Sequence, residues 1–245
     1  MFSLTRAGYS LFILITIITT VLSQEVNYDE IHRQAEVFYH DGSQLLNGIY
    51  YEYPYTGAKG HPFLGEGEFL TGSVVFHSRL HENLMIRYDI FHHQVLVRPD
   101  PQDPMLVIQL ANLFVSEFWI GGMHFRNLAG KNGKDSFYKV VWEEKHLKCY
   151  SGWYKQRYKS YDDRDRITYR FSDTKKRNYL LIGERLSVFG NNRTFIRLFP
   201  AETRGKLKEF LRSEHIRVER ANPEAMIMVV RFGESLLHET KDRGA

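Results

Sequence analysis

Cysteine is almost missing: Cys149 stands alone among 245 residues. An internal disulfide is therefore excluded, and the fold must rest on burial and backbone pairing. The lone thiol lies in an alternating run, which predicts a small buried apolar side chain rather than a reactive group. Strong net charge is missing as well. The formal charge is only +4, which is compatible with an anionic partner and is also ordinary. After residue 23 no stretch is long and apolar enough to span a bilayer. There is no Gly-x-Ser-x-Gly elbow, phosphate loop or dinucleotide fingerprint, and no period-length repeat.

What is present begins at the first residues. Arg6 supplies a positive start, residues 9–22 are apolar or small without charge, and charge resumes at Glu25. Val21 and Ser23 occupy the positions a signal peptidase reads. This pattern predicts a secretory signal over 1–23, with cleavage exposing Gln24. A membrane anchor needs about 20 apolar residues. This run is shorter and carries Thr16, Thr19 and Thr20. No cysteine follows the cleavage point, so a lipid-anchored form is not supported. The expected product is one β-rich domain over 24–240 with a polar tail at 241–245.

Residues 29–40 predict a short helix, with Ile31, Ala35, Phe38 and Tyr39 near helical spacing. Residues 54–72 are dense in glycine and proline but hold Tyr55, Phe63 and Phe69, which predicts an ordered loop packed on a sheet. Short β-branched and aromatic runs then recur every ten residues or so. They fall at 73–76, 84–90, 94–98, 105–110, 116–120, 124–127, 136–143, 146–155, 166–171, 179–182, 186–189 and 194–198. That predicts a mainly β fold: an antiparallel meander, sandwich or open barrel. Glu144-Lys145 reads as a hairpin tip, and Gly190-Asn191-Asn192-Arg193 as a hairpin turn. Two helices close the chain over about 200–238. One opens at Pro200, and the other is capped by Asn222 and interrupted at Gly233.

Several local patterns occur in a familiar order. They are Leu46-Asn47-Gly48, Gly60-His61-Pro62-Phe63, Gly72-Ser73-Val74-Val75-Phe76, Arg87-Tyr88-Asp89-Ile90, Phe137-Tyr138-Lys139-Val140-Val141, Tyr179-Leu180-Leu181-Ile182 and Leu198-Phe199-Pro200. In these the chain resembles a family of exported, β-rich, uncharacterised proteins of Bacteroidota-type bacteria, over nearly all of the mature part. The resemblance implies a Gram-negative envelope setting and carries no catalytic residue. The chain departs from the pattern at His77-Ser78-Arg79 and Glu144-Lys145, where a glycine is usual, which leaves the tightness of two turns open.

Three sets of side chains are candidates for chemistry. The basic, aromatic stretch around the expected hairpin offers Tyr150, Trp153, Tyr154, Arg157 and Tyr158 as a ligand surface. The plainer reading puts its aromatics on the core and its lysines outside. His61, His77 and His93 are the candidate metal ligands, although His77 and His81 span a turn rather than a helix face. Glu66-Gly67-Glu68 and Asp162 to Asp165 are acid groupings that read as solvated turns. Asn192-Arg193-Thr194 is a glycosylation sequon, meaningful only in a eukaryotic secretory route.

The leading expectation is a non-enzymatic envelope binding or accessory module, periplasmic, outer-membrane-associated or extracellular, with no cofactor. Its partner would be an envelope protein or an amphiphilic or anionic ligand. Peripheral membrane contact is compatible with this, and the leader argues against nucleic acid. The alternatives are a secreted metal-dependent hydrolase and a structural component of a surface-assembly or secretion system.

Overall fold

The structure is a computed structural model that describes residues 48–100, 103, 105–128, 137–161, 164 and 166–242. The expected leader, the 29–40 helix, and Asp162, Asp163 and Asp165 lie outside the described residues. The strands are β1 Ile49–Tyr50, β2 Leu70–Phe76, β3 Arg79–Asp89, β4 Gln94–Arg98, β5 Ile108–Gln109, β6 Val115–Ile120 and β7 Met123–Asn127. They continue with β8 Phe137–Glu143, β9 Leu147–Tyr154, β10 Arg157–Tyr161, β11 Ile167–Phe171, β12 Lys175–Ile182 and β13 Arg185–Phe189. The helices are α1 Asn192–Ile196, α2 Arg204–Ser213 and α3 Pro223–Asp242. Among the described residues, eleven strands form one antiparallel sheet in the order β1-β5-β4-β3-β2-β6-β7-β8-β9-β12-β13, and β10 pairs only with β11. The expectation of a mainly antiparallel β fold with C-terminal helices holds. No described helix is long and apolar enough to cross a membrane.

Alternation sets the faces. On one face Val74, Ile86, Tyr88, Val97, Phe118 and Phe125 form an apolar core. Further along the same face Leu147, Cys149, Leu180 and Phe189 are covered by Phe195, Phe199, Leu207, Val229 and Val230 of the helical segment. The opposite face carries Tyr138, Tyr150 and Tyr179 and, near the other edge, Leu96 beneath Phe63 and Phe69. Residues 54–69 form an ordered loop on the sheet as expected, whereas 70–72 belong to β2. Leu64 N–H donates to the Tyr88 carbonyl at 2.9 Å, and Ile90 N–H to the Pro62 carbonyl at 3.0 Å.

The two turns without the usual glycine differ. Phe76 pairs directly with Arg79, so His77 and Ser78 make a two-residue hairpin turn with φ of 49° and 63°. A left-handed backbone costs a side-chain-bearing residue roughly 1–2 kcal/mol. The His77 ring offsets part of that by stacking on Phe114, centroids 4.1 Å apart. The Glu144–His146 connection is longer and closes with Glu144 N–H donating to the Leu147 carbonyl at 3.1 Å.

Three expectations fail at the C-terminal end. Residues 194–198 are not a strand, and Gly190–Arg193 is not a hairpin turn. Asn191 caps α1 reciprocally: its side chain accepts from Thr194 N–H at 2.9 Å, while the Thr194 hydroxyl reaches back to the Asn191 N–H. That box outweighs the β-branched composition, and Phe199, in the turn after α1, packs on the Phe195 ring with centroids 5.2 Å apart. The next helix begins at Arg204, after a turn in which Thr203 N–H donates to the Pro200 carbonyl. Gly233 does not interrupt α3. A Cβ there would stand 2.7 Å from two carbons of the Phe199 ring, so its bare Cα lets the helix seat on that ring.

Candidate binding surface

The five residues expected to form a ligand surface divide between two elements. On β9, Tyr150 and Tyr154 face one side and Trp153 the other. Tyr150 is buried and its hydroxyl donates to Glu143 at 2.5 Å. Burial, and then the Glu143 carboxylate, push that hydroxyl far above the usual phenol range. Trp153 packs edge-on against Phe125 of the core, with the Lys139 ammonium 5.5 Å from its ring. Tyr154 lies under the Arg177 guanidinium at 4.6 Å. Arg157 and Tyr158 belong to β10, on opposite faces of the two-stranded ribbon. The structure sends Tyr150 and Trp153 to the core, leaves Tyr154 beside Arg177 and puts Arg157 and Tyr158 on opposite faces of the ribbon, so the five do not share one face.

The expected metal ligands stand on three separate elements. His61 is in the loop before β2, where its Nδ1 accepts from Phe63 N–H at 3.2 Å and Lys155 donates to its carbonyl at 2.9 Å. Burial, reinforced by Lys155, holds the His61 imidazole below its usual range. His77 sits in the β2–β3 turn, and His93 lies after β3 with its Nδ1 3.1 Å from the Tyr88 hydroxyl. Among the described residues no group of three or more His, Cys, Asp or Glu side chains is placed to hold a metal.

The ribbon has a fixed base and a free end. One face of it carries the cross-strand pairs Arg157–Phe171, Lys159–Tyr169 and Tyr161–Ile167. At the base, Lys59 N–H donates to the Tyr169 carbonyl at 2.8 Å, and Phe171 N–H to the Lys59 carbonyl at 2.9 Å. Tyr55 packs edge-on against Phe171 and Tyr169, at 5.0 and 6.4 Å. Arg157 lies over Tyr169, Tyr55 and Phe91 at 4.6, 5.2 and 5.4 Å. At the far end of the same face nothing described covers Tyr161 and Ile167, which are 64% and 57% exposed.

A hydrogen-bonded chain that sequence reasoning missed locks this base. Asp89 is fully buried at the end of β3 and accepts from Phe91 N–H and His92 N–H, both at 2.8 Å. Its other oxygen lies 2.9 Å from His92 Nδ1, and His92 Nε2 lies 2.9 Å from the Tyr55 hydroxyl. A carboxylate can only accept, so neutral His92 carries its proton on Nδ1 and accepts from Tyr55 through Nε2. Burial raises the Tyr55 hydroxyl above its usual range, and the Arg157 guanidinium pulls more weakly the other way. The order of groups is that of a hydrolytic relay. The terminal hydroxyl, however, belongs to a residue only 6% exposed and enclosed by Phe91, Tyr169 and Phe171. The chain therefore anchors the ribbon rather than presenting a nucleophile. Its local half had a sequence signal: an aspartate ending a strand, with His92 three residues on, is an Asx-turn pattern.

Comparison of the chain with models of known protein families, with curated protein sequences and with solved structures returns no match.

Proposed function

We propose that the chain is an exported, non-enzymatic binding module that engages an envelope protein through the free end of the β10–β11 ribbon. The observation that carries this is the exposed Tyr161–Ile167 pair at the tip of a mixed aromatic and basic face whose base is locked. Aromatic and aliphatic side chains held on a rigid element lose little freedom on association, which is where much binding energy is otherwise lost. Lys159 and Arg157 alternate with the apolar side chains on that face and suit a partner with an acidic rim. The export half of the reading is supported by the apolar leader and its small-residue cleavage pattern. The hydrolase alternative has less support, because His61, His77 and His93 stand on separate elements.

The test is affinity capture from an envelope fraction, using the mature chain and a Tyr161→Ser, Ile167→Ser variant. Both substitutions are at exposed positions and leave the melting temperature within a few degrees. Capture of a defined protein by the parent and its loss in the variant is the expected result. Equal capture by both removes the ribbon end from the case, and recovery of the chain with protein-free anionic vesicles assigns the tip to a membrane surface instead.

A further inference from the structure

One cross-strand row on the core-facing side of the sheet is interrupted in its middle. Directly opposed residues run Val74, Phe118, Phe125, Lys139, Ser151, Asn178, Phe189 across seven strands. Opposed residues share a face, so three polar side chains stand between the two apolar cores. Lys176, opposite Trp153 on β12, adds a second ammonium two residues along from Asn178. Ser151 is buried, Lys139 and Asn178 are half-buried and Lys176 is exposed, so the row is polar where it meets water.

At this break the sheet and the first turn of α3 leave a cavity of about 200 Å³, lined by Lys139, Lys176 and Ser151 on one side and Pro223, Met226 and Ile227 on the other. The register of β8 shifts between Val140 and Trp142, and both Val140 and Val141 line the space. Bulges of this kind re-aim side chains beside binding sites. Ser151 is buried and donates to Asn178 at 2.9 Å, so its own hydrogen is already committed. Neither lysine forms an ion pair with a described carboxylate. Partial withdrawal from water, and then the Lys139 charge, hold Lys176 below the usual lysine range. Two like charges thus face one space without an acid between them. The N-terminal end of α3 adds positive potential on the far side, opposed in part by Glu224 in its first turn and by the Asn222 side chain that accepts from Ala225 N–H.

We propose that this cavity binds a small organic carboxylate, its head between Lys139 and Lys176 and its apolar body against Val141, Met226 and Ile227. The lining decides between anions. Most of it is aliphatic, which suits a singly charged acid with a hydrocarbon body better than a fully hydrophilic phosphate. The volume equals about seven water molecules at ~30 Å³ each, the scale of a branched-chain or aryl acid.

The experiment is calorimetric titration of the mature chain with phenylacetate, inorganic phosphate and benzyl alcohol as separate probes. Lys139→Gln and Lys176→Gln are titrated beside the parent, and each melting temperature is recorded to establish folding. Saturable binding of phenylacetate at one site is expected, weakened roughly ten-fold or more by either substitution. Phosphate and benzyl alcohol, each lacking half of the recognition, should bind at least ten-fold more weakly. Three results would overturn the proposal: no phenylacetate binding, equal binding in folded variants, or phosphate binding as tightly as phenylacetate. The ribbon end takes no part in this titration, so either outcome leaves the protein-capture experiment independent.

Discussion

Replacing Gly233 by alanine sets two effects within α3 against each other. In a solvated helix the change stabilises by about 1 kcal/mol, because glycine loses more backbone freedom on ordering. At this position the new Cβ would stand 2.7 Å from Cε1 and Cζ of Phe199 and 3.5 Å from a Leu147 methyl. Carbon atoms rest at about 3.5–4.0 Å, so the ring must retreat by nearly 1 Å or the helix must lift. Phe199 is 1% exposed and its ring is backed by Phe195 at 5.2 Å, which leaves no free direction. Overpacking of this kind costs about 1–3 kcal/mol. The clash therefore outweighs the propensity gain, and a net loss of about 1 kcal/mol is expected. Urea unfolding of the mature chain, followed by circular dichroism and tryptophan fluorescence, measures it. Phe199→Leu supplies the control: in that background Gly233→Ala should cost less, with a coupling of at least about 0.5 kcal/mol. A Gly233→Ala variant about 1 kcal/mol more stable than the parent, with no coupling, would refute the seating of α3 on this ring.

Other consequences concern titrating groups. Burial pushes the Cys149 thiol up to about 12, so a disulfide reagent at pH 8 should leave the folded chain unlabelled and react only in denaturant; rapid labelling of native protein would contradict its place beneath the helices. Lys176 has a folded pKa below its unfolded value, so between the two the unfolded state binds more protons and stability rises with pH. Lys176→Met should therefore raise the melting temperature at neutral pH by about 1–3 °C, small because water screens the ammonium. That advantage should shrink as pH climbs towards 10. A lower melting temperature for the methionine variant at pH 7 would mean an acid partner answers Lys176.

The sequence made some of this legible and concealed the rest, for physical reasons. Residues 84–88 alternate between buried and half-buried because one face of β3 enters the core, and the sequence shows it in the apolar Leu84, Ile86 and Tyr88. Gly190-Asn191-Asn192 suits a hairpin turn as well as a helix cap. What separates the two is the Asn191–Thr194 reciprocity with Phe195 and Phe199 beyond it. The β10 segment Arg-Tyr-Lys-Ser-Tyr has no β-branched residue, and its base is held by Tyr55 and Lys59, about a hundred positions away. The aromatic, basic composition near residues 150–158 was readable. Its division between core and ribbon was not, because side-chain direction depends on register. The Lys139–Ser151–Asn178 row was hidden for the same reason, since three unremarkable polar residues become neighbours only once β8, β9 and β12 pair.

A photo-reactive benzoylphenylalanine placed at position 161 in the producing cell, with position 188 as the exposed control on β13, tests the binding account most directly. The account predicts a discrete cross-linked protein adduct in the envelope fraction from position 161 and none from position 188. Equal adducts from both positions, or a 161 variant that remains with cytosolic protein, would contradict it.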